Sequence, residues 1–453
     1  MDLRQQAEAI WKAGVAAVDS ETLVRNAIQV GNGQLTVLGE SHALDRIRRI
    51  VVVGAGKAGA GMAAGVELAL GPELVATKLT GWVNVPQDCL RPLQRIHLHA
   101  ARPPGVNEPT IDGVVGSEAI LELVGSLTGD DFCLVLISGG GSALLPAPID
   151  GISLDDKLAV TRCLMSSGAT IQQLNTVRKR LSRIKGGGLL RHPRAGRMTS
   201  LIISDVPGDP LDIIASGPTV CDSATASDAL EVLEQIVGTT ASQRQSVPES
   251  VWKTLHDMAG ETRSSTNSTV ECRNCVIGNN RTAIDAAARQ ARSLGFDVHD
   301  LGSDRQGIAR EMGATFAEQC LTIRRESQNA NVCLVSGGEP VVKLAKTDLP
   351  RRGGRNQEFA LAAGMRFWNE DLHNICLLSG GTDGEDGPTD AAGAIVDGQV
   401  LEAARQKGLD LPAYLAINDS YTFFEHAGGL LKTGPTHTNV MDLHIALIAN
   451  TEP

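Results

Sequence analysis

Three stretches of this 453-residue chain obey one pattern: Phe132 to Ser142 (FCLVLISGGGS), Asn331 to Pro340 (NVCLVSGGEP) and Asn374 to Gly384 (NICLLSGGTDG). Each passes from an apolar run into Ser-Gly-Gly and then into a polar or acidic residue. The first run is too short to span a bilayer, and its aliphatic and β-branched content suits a strand buried on both faces of a parallel sheet. Ligands of such sheets collect outside the carboxyl ends of the strands, where glycine lets backbone approach an anion and helix N-termini offer free N–H groups. One glycine turn after a strand is ordinary. Three that end alike point to a cleft that binds phosphates.

The chain is longer than a single core usually organises, so two α/β domains are expected, 1–262 and 263–453. The first reads as Rossmann-like with a mostly parallel sheet. The Ser- and Thr-rich segment ETRSSTNST, 261–269, is the expected junction. A formal charge of −11 argues against nucleic-acid or anionic-membrane partners, although a local Lys and Arg cluster can still hold an anionic substrate. The N-terminal stretch has no cleavable apolar core and is expected to be an amphipathic helix, not an export signal. Nine cysteines scattered singly fit a reducing compartment, which makes the cytoplasm the expected location. Cys272 and Cys275 form the one close pair, and the alternation around them reads as a strand with a structural role.

Along the chain, the apolar Ile50 to Val53 turns through Gly54-Ala55-Gly56-Lys57-Ala58-Gly59 into a helix. The spacing is that of a dinucleotide fingerprint, but the next extended segment, LTGWVNVP, ends without the acid that would hold a ribose. Lys57 stands at the helix mouth, where an ammonium would reinforce the dipole for a phosphate or carboxylate. Gly54, Gly56, Ser138, Gly139, Gly140, Gly141 and Ser142 are thus the candidate phosphate-binding residues. Asn175 to Arg180, followed by Arg183 and Lys185, is a basic helix whose charges are expected on a solvated face.

Asp205 opens a rigid acidic loop directly after a strand, which suits a general base or a metal ligand. Arg355 ends the glycine turn LPRRGGR before a helix. The loop after the third Ser-Gly-Gly carries Asp383, Glu385, Asp386 and Asp390, but its spacing is not that of a calcium loop. Magnesium, which needs only one or two carboxylates beside phosphates, fits better. The P-loop, zincin and nucleophile-elbow patterns do not occur. Glycine-rich anion sites, cations and strand-end carboxylates are the inventory of phosphoryl transfer.

Taken together, VGAGKAG, LISGGGSALLPAP, NTVRKRLSRIKGGGL, SDVPGDPLDIIASGPT, VSGGEP, GGRNQEFALAA, GGTDGEDGPTDAAGAIVDG, NDSYTFFE and LKTGPTHTNVMDL resemble, in order, the signatures of the MOFRL-type glycerate kinases. The resemblance runs from about Val51 to the C-terminal region. It implies an ATP- and Mg²⁺-dependent cytoplasmic kinase that phosphorylates D-glycerate, at the 2-hydroxyl, with its active site in the cleft between two α/β domains. By resemblance the essential lysine falls on Lys57 and the essential arginine on Arg355. The supporting acids and amide fall on Asp205, Glu339, Asp383 and Asn439, with Glu339 and Asp383 as the metal candidates and Asn439 on the nucleotide side. Many members carry His-Pro-x-Pro-Asp after the third strand, whereas this chain has Arg102 to Glu108 there (RPPGVNE), a departure that bears on how the acceptor is held. Two other readings differ in class. A hydroxypyruvate reductase would need a nicotinamide cofactor, and a sugar-acid sensor would have no use for both Lys57 and the carboxylates. Self-association into a homo-oligomer is left open by the sequence.

Overall fold

The computed structural model describes residues 1–106, 108–193, 196–238, 244–260, 270–326 and 331–450. The expected junction at 261–269 lies outside the described residues. Contacts divide the chain into two compact units. One, the parallel-sheet unit, comprises Ser20–Ile203 and Asp209–Ile277. The other, the mixed-sheet unit, comprises Met1–Asp19, Ser204–Gly208 and Gly278–Pro453.

The parallel-sheet unit begins with a small antiparallel sheet of β1 (Ile28–Gly31), β2 (Gln34–Val37) and β3 (Glu40–Ala43). Its main sheet contains β4 (Arg49–Ala55), β5 (Leu79–Pro86), β6 (Ile96–Arg102), β7 (Asp131–Ile137), β8 (Arg197–Ile203) and β9 (Cys272–Gly278) in the order β6-β5-β4-β7-β8-β9. The pairings from β6 through β8 are all parallel. Such strands are covered on both faces, and every residue of β7 is buried, as is β4 from Ile50 onward. The strand order reverses between β4 and β7. That reversal is the topological switch point, the end of the sheet at which ligands of open α/β folds bind.

Helices Leu154–Ser166, Ile171–Arg180, Ala226–Val237 and Glu249–Gly260 surround a separate core that includes Val160, Leu164, Val177, Leu181, Leu233 and Leu255. Three of them start at capping boxes, Ser153 with Asp156, Thr170 with Gln173 and Thr225 with Asp228, which satisfy N–H groups that the first turn leaves unpaired.

The mixed-sheet unit contains β10 (Asp297–Asp300), β11 (Val332–Gly338), β12 (Ile375–Gly381), β13 (Gly393–Asp397), β14 (Leu430–Leu431) and β15 (Asp442–Ile448) in the order β10-β11-β15-β12-β13-β14. β15 lies antiparallel between β11 and β12, so the second and third Ser-Gly-Gly strands run parallel to each other without touching. The register sets both Gly338 and Gly381 opposite Asp442. The N-terminal helix Leu3–Ala17 belongs to this unit, and its Trp11 Nε1 donates to the carbonyl of Gly380 at 3.2 Å.

The linear cut expected from sequence, 1–262 and 263–453, differs from this division. β9 extends the parallel sheet next to β8, while the first helix packs 260 and more residues away along the chain, against helix Asn280–Ser293 and β15. Ser204–Gly208 likewise joins the mixed-sheet unit. Long-range burial decided all three, and no local composition marks them.

Candidate functional site

At the switch point of the parallel-sheet unit, the turns after β4 and β7 are bonded to one another. Lys57 N donates to Gly139 O at 2.9 Å, and Ser138 N donates to Ala55 O at 3.1 Å. Ser138 is buried, and its Oγ accepts from Ala58 N at 3.1 Å. Gly56 has φ +150, and a Cβ there would meet Ser138 Oγ at 1.9 Å; a Cβ on Gly54 would meet Leu136 O at 2.0 Å. These two glycines therefore have a packing reason, since they let β4 and β7 close on each other. Gly140 differs. It is exposed, has φ +77, and its absent side chain would point toward Lys57 Cγ at 3.7 Å and Arg102 Nη2 at 3.4 Å. The Arg102 that opens the departing loop is buried, so a second cation stands beside Lys57 at this turn.

Ser142, one turn further, is the focus of a cationic cluster. Arg178 Nη2 donates to Ser142 Oγ at 2.8 Å, and Lys185 Nζ donates to Ser142 O and Oγ, both at 2.7 Å. Ser216 Oγ lies 3.0 Å from Ser142 Oγ. It is presented by Ala215 (φ 51), Ser216 (φ 63) and Gly217 (φ 61), three successive left-handed residues. Such a conformation costs a non-glycine residue on the order of 1 kcal/mol. The basic helix is not a solvated face as the sequence led us to expect. Lys179, Arg180 and Lys185 are each 5% exposed or less. Asp222 explains two of them, at 3.5 Å from Lys179 and 2.5 Å from Arg180. Burial, then the charges of Arg178 and Lys157, push the Lys185 ammonium well below the ordinary lysine range.

The mixed-sheet unit builds a second charged group around Arg355, the first residue of helix Arg355–Phe367. Asp386 caps that helix from another loop, accepting from Asn356 N at 3.0 Å and Gln357 N at 2.8 Å. Burial pushes the Asp386 carboxyl up to about 7 against those two N–H bonds. Ser379 of the third Ser-Gly-Gly is fully buried and donates to Asn356 Oδ1 at 2.7 Å. In the first and third copies of the pattern the serine is thus an internal clamp.

Arg355 itself is held by a bidentate pair with buried Asp442, Nε to Oδ2 at 2.6 Å and Nη2 to Oδ1 at 3.1 Å, while Nη1 donates to Glu339 Oε1 at 3.1 Å. Burial opposes the guanidinium charge, but Asp442, then Glu339 and Asp386, override it and raise the Arg355 pKa. Glu339 is pushed upward, first by burial and then by Asp442 and Asp383, with Arg355 opposing. Asp383 Oδ1 accepts from Glu385 N at 3.1 Å. Asp205 pairs with Asn439, whose Nδ2 donates to Asp205 Oδ2 at 3.3 Å.

The sequence-derived candidates fall into two groups. Lys57, Gly54, Gly56 and Ser138 to Ser142 lie in the parallel-sheet unit; Asp205, Glu339, Arg355, Asp383 and Asn439 lie in the mixed-sheet unit. Asp205 follows a strand of the first sheet yet joins Asn439, a pairing that strand-end position could not indicate. Asp442, Lys157, Arg178, Lys185 and Ser216 were missed as site residues. Asp442 had one available signal, a lone acid entering an otherwise apolar strand (DLHIALI). Among the described residues no three His, Cys, Asp or Glu side chains are grouped as a metal cage. Glu339 and Asp383 nevertheless offer hard oxygen donors close enough for Asp383 to act on Glu339, the one- or two-carboxylate type of site that Mg²⁺ accepts.

Known proteins resemble the whole of this architecture. The family described as "Domain of unknown function (DUF4147)" matches residues 6–256, and the MOFRL family matches residues 332–442. A D-glycerate 2-kinase from Thermotoga maritima is 35% identical over 95% of this chain and 99% of its own. A protein from Agrobacterium vitis that carries a hydroxypyruvate reductase name is 39% identical over 98% of this chain and 94% of its own. The crystal structure of a glycerate kinase from Thermotoga maritima superimposes with a TM-score of 0.82 at 34% identity, covering 99% of both chains.

Proposed function

The chain belongs to the MOFRL-type glycerate kinase family, and we propose on that premise that it transfers a phosphoryl group from ATP to D-glycerate, at the 2-hydroxyl, in the cytoplasm. The observation that carries the reading is the Arg355 group: a permanently charged planar donor, fixed by a buried carboxylate, with further carboxylates at the same sheet end. Phosphoryl transfer asks for cations against charge that develops on equatorial oxygens, held in place beforehand so that little reorganisation is needed. An arginine locked by a bidentate carboxylate meets that demand better than a mobile lysine.

Each residue has a role in this reading. Lys57 and Arg355 neutralise charge on the transferred group. Asp205, with its carboxylate oriented by Asn439, accepts the proton of the attacking hydroxyl. The open turn at Gly140 leaves room for phosphoryl oxygens beside the Lys57 stem. Glu339 and Asp383 would hold Mg²⁺, which supplies charge neutralisation on nucleotide phosphates when bound. Among the described residues no helix is long and apolar enough to cross a membrane.

The reductase name of the Agrobacterium vitis relative motivates the second reading. Against it, the close approach that a dinucleotide fingerprint reserves for a pyrophosphate is occupied at Gly56 by Ser138. One experiment separates the two: the protein is incubated with Mg·ATP and D-glycerate and the product isomer identified, with NADH and hydroxypyruvate in parallel. The kinase reading expects 2-phosphoglycerate and no NADH oxidation. NADH-dependent turnover without phosphoglycerate would overturn it.

A further inference from the structure

We propose that Arg178 and Lys185, which converge on Ser142 and Ser216, form together with the neighbouring Lys157 a built seat for an oxyanion, either the carboxylate of the acceptor or a phosphoryl group of the nucleotide. The inference deepens the kinase reading and takes its two sources from it. One short stretch of chain holds two kinds of buried cation. Lys179 and Arg180 are buried with Asp222 beside them. Among the described residues, Arg178, Lys185 and Lys157 have no carboxylate ion-pair partner; the hydrogen bonds of the first two go to serine oxygens. Lys157 is 7% exposed, and its Nζ is buried with no hydrogen-bond partner.

Three like charges sharing a buried region without a counter-ion are unfavourable, because burial removes the water that would screen them. A fold that keeps them gains if a ligand brings the missing negative charge. The flanking groups suit an oxyanion, since serine hydroxyls can turn to donate to it and a guanidinium offers a planar fork. Burial, and then Arg178, lowers the Lys157 pKa to about 7. That is the direction expected of an ammonium whose partner is supplied by binding. The seat also adjoins the Gly139 to Ser142 turn, so an anion here and a reacting group near Lys57 can belong to one substrate set.

The test uses the full chain and the variants Lys157→Met and Lys185→Met, which keep the length and apolar volume of the stem. Binding of inorganic phosphate, D-glycerate and ADP is measured by calorimetry, with the thermal midpoint of each apo protein. The expected result is a loss of at least roughly tenfold in affinity for one anion class, as for a charge-assisted contact, while the other class stays near the parental value and the apo midpoint does not fall. Loss confined to D-glycerate identifies the carboxylate as the occupant, and loss confined to phosphate and ADP identifies the phosphoryl group. Unchanged affinities for all three overturn the seat, as does a loss of all binding with a lowered midpoint, which would make these lysines structural. If the parental protein fails to phosphorylate D-glycerate, the kinase reading fails, and the phosphate titrations still decide the seat.

Discussion

The two charged groups of this protein solve the same electrostatic problem in opposite ways. In the mixed-sheet unit, Arg355 is compensated inside the chain by Asp442 and Glu339. In the parallel-sheet unit, Lys157, Arg178 and Lys185 meet hydroxyls or, for Lys157, nothing among the described residues. The first arrangement is complete in the absence of ligand and so can present a fixed fork. The second holds a charge deficit. A site whose charges are balanced serves rigidity, whereas an unbalanced one stores an affinity for the ion that balances it.

The largest effect is expected at Asp442. Asp442→Ala should cost about 3 kcal/mol of stability, the low end for a broken buried pair, because it removes the buried partner of the bidentate pair and leaves the half-buried Arg355 with Glu339 alone. Denaturant unfolding of the variant gives the value; a loss below about 1 kcal/mol would mean that Glu339 and water suffice for Arg355 and the group does not depend on its buried carboxylate. Next in size are the reacting cations. Lys57→Ala and Arg355→Ala should each lower kcat by on the order of 10²- to 10³-fold with a smaller change in KM. Arg355→Lys should remain impaired, since a lysine cannot make the bidentate pair with Asp442. Steady-state kinetics on variants with unchanged circular dichroism check this, and near-parental turnover would remove either residue from the chemistry.

A smaller effect is expected at the metal candidates. Asp383→Asn should raise the Mg²⁺ concentration needed for half-maximal rate, and EDTA should abolish turnover of the parental enzyme. Full activity in excess chelator would contradict both.

A further effect, read in pH, lies in the parallel-sheet unit. Burial, and then the charge of Arg178, lowers the Lys157 pKa from an ordinary 10.5 to about 7, and Lys185 is the other cation in its electrostatic reach. Between those values the unfolded chain binds a proton that the folded chain has released, so this residue makes stability rise with pH from about 7 to 10.5. Lys157→Met should be flatter over that window in thermal unfolding. An identical slope in both proteins would place the Lys157 ammonium in contact with water.

Much of this molecule is legible in its sequence because the signals are local. The apolar strands that break into Ser-Gly-Gly and the glycine turn before helix Arg355–Phe367 are read from neighbours a few residues apart. The motifs that identify the family are contiguous, so Lys57, Arg355, Asp205, Glu339, Asp383 and Asn439 could be named from them. Tertiary structure alone decided which charges are paired. Asp442 reaches Arg355 because β15 lies between β11 and β12 in a register that sets it against both glycine ends. Arg178 and Lys185 meet at Ser142, and Lys157 of another helix comes within reach of both, because separate chain segments pack together, while Asp222 arrives at Arg180 from 42 residues away. Local residue type reports that a side chain is charged. Whether that charge finds a carboxylate, a hydroxyl or a ligand depends on register and burial between segments distant in sequence, where local signals carry no information.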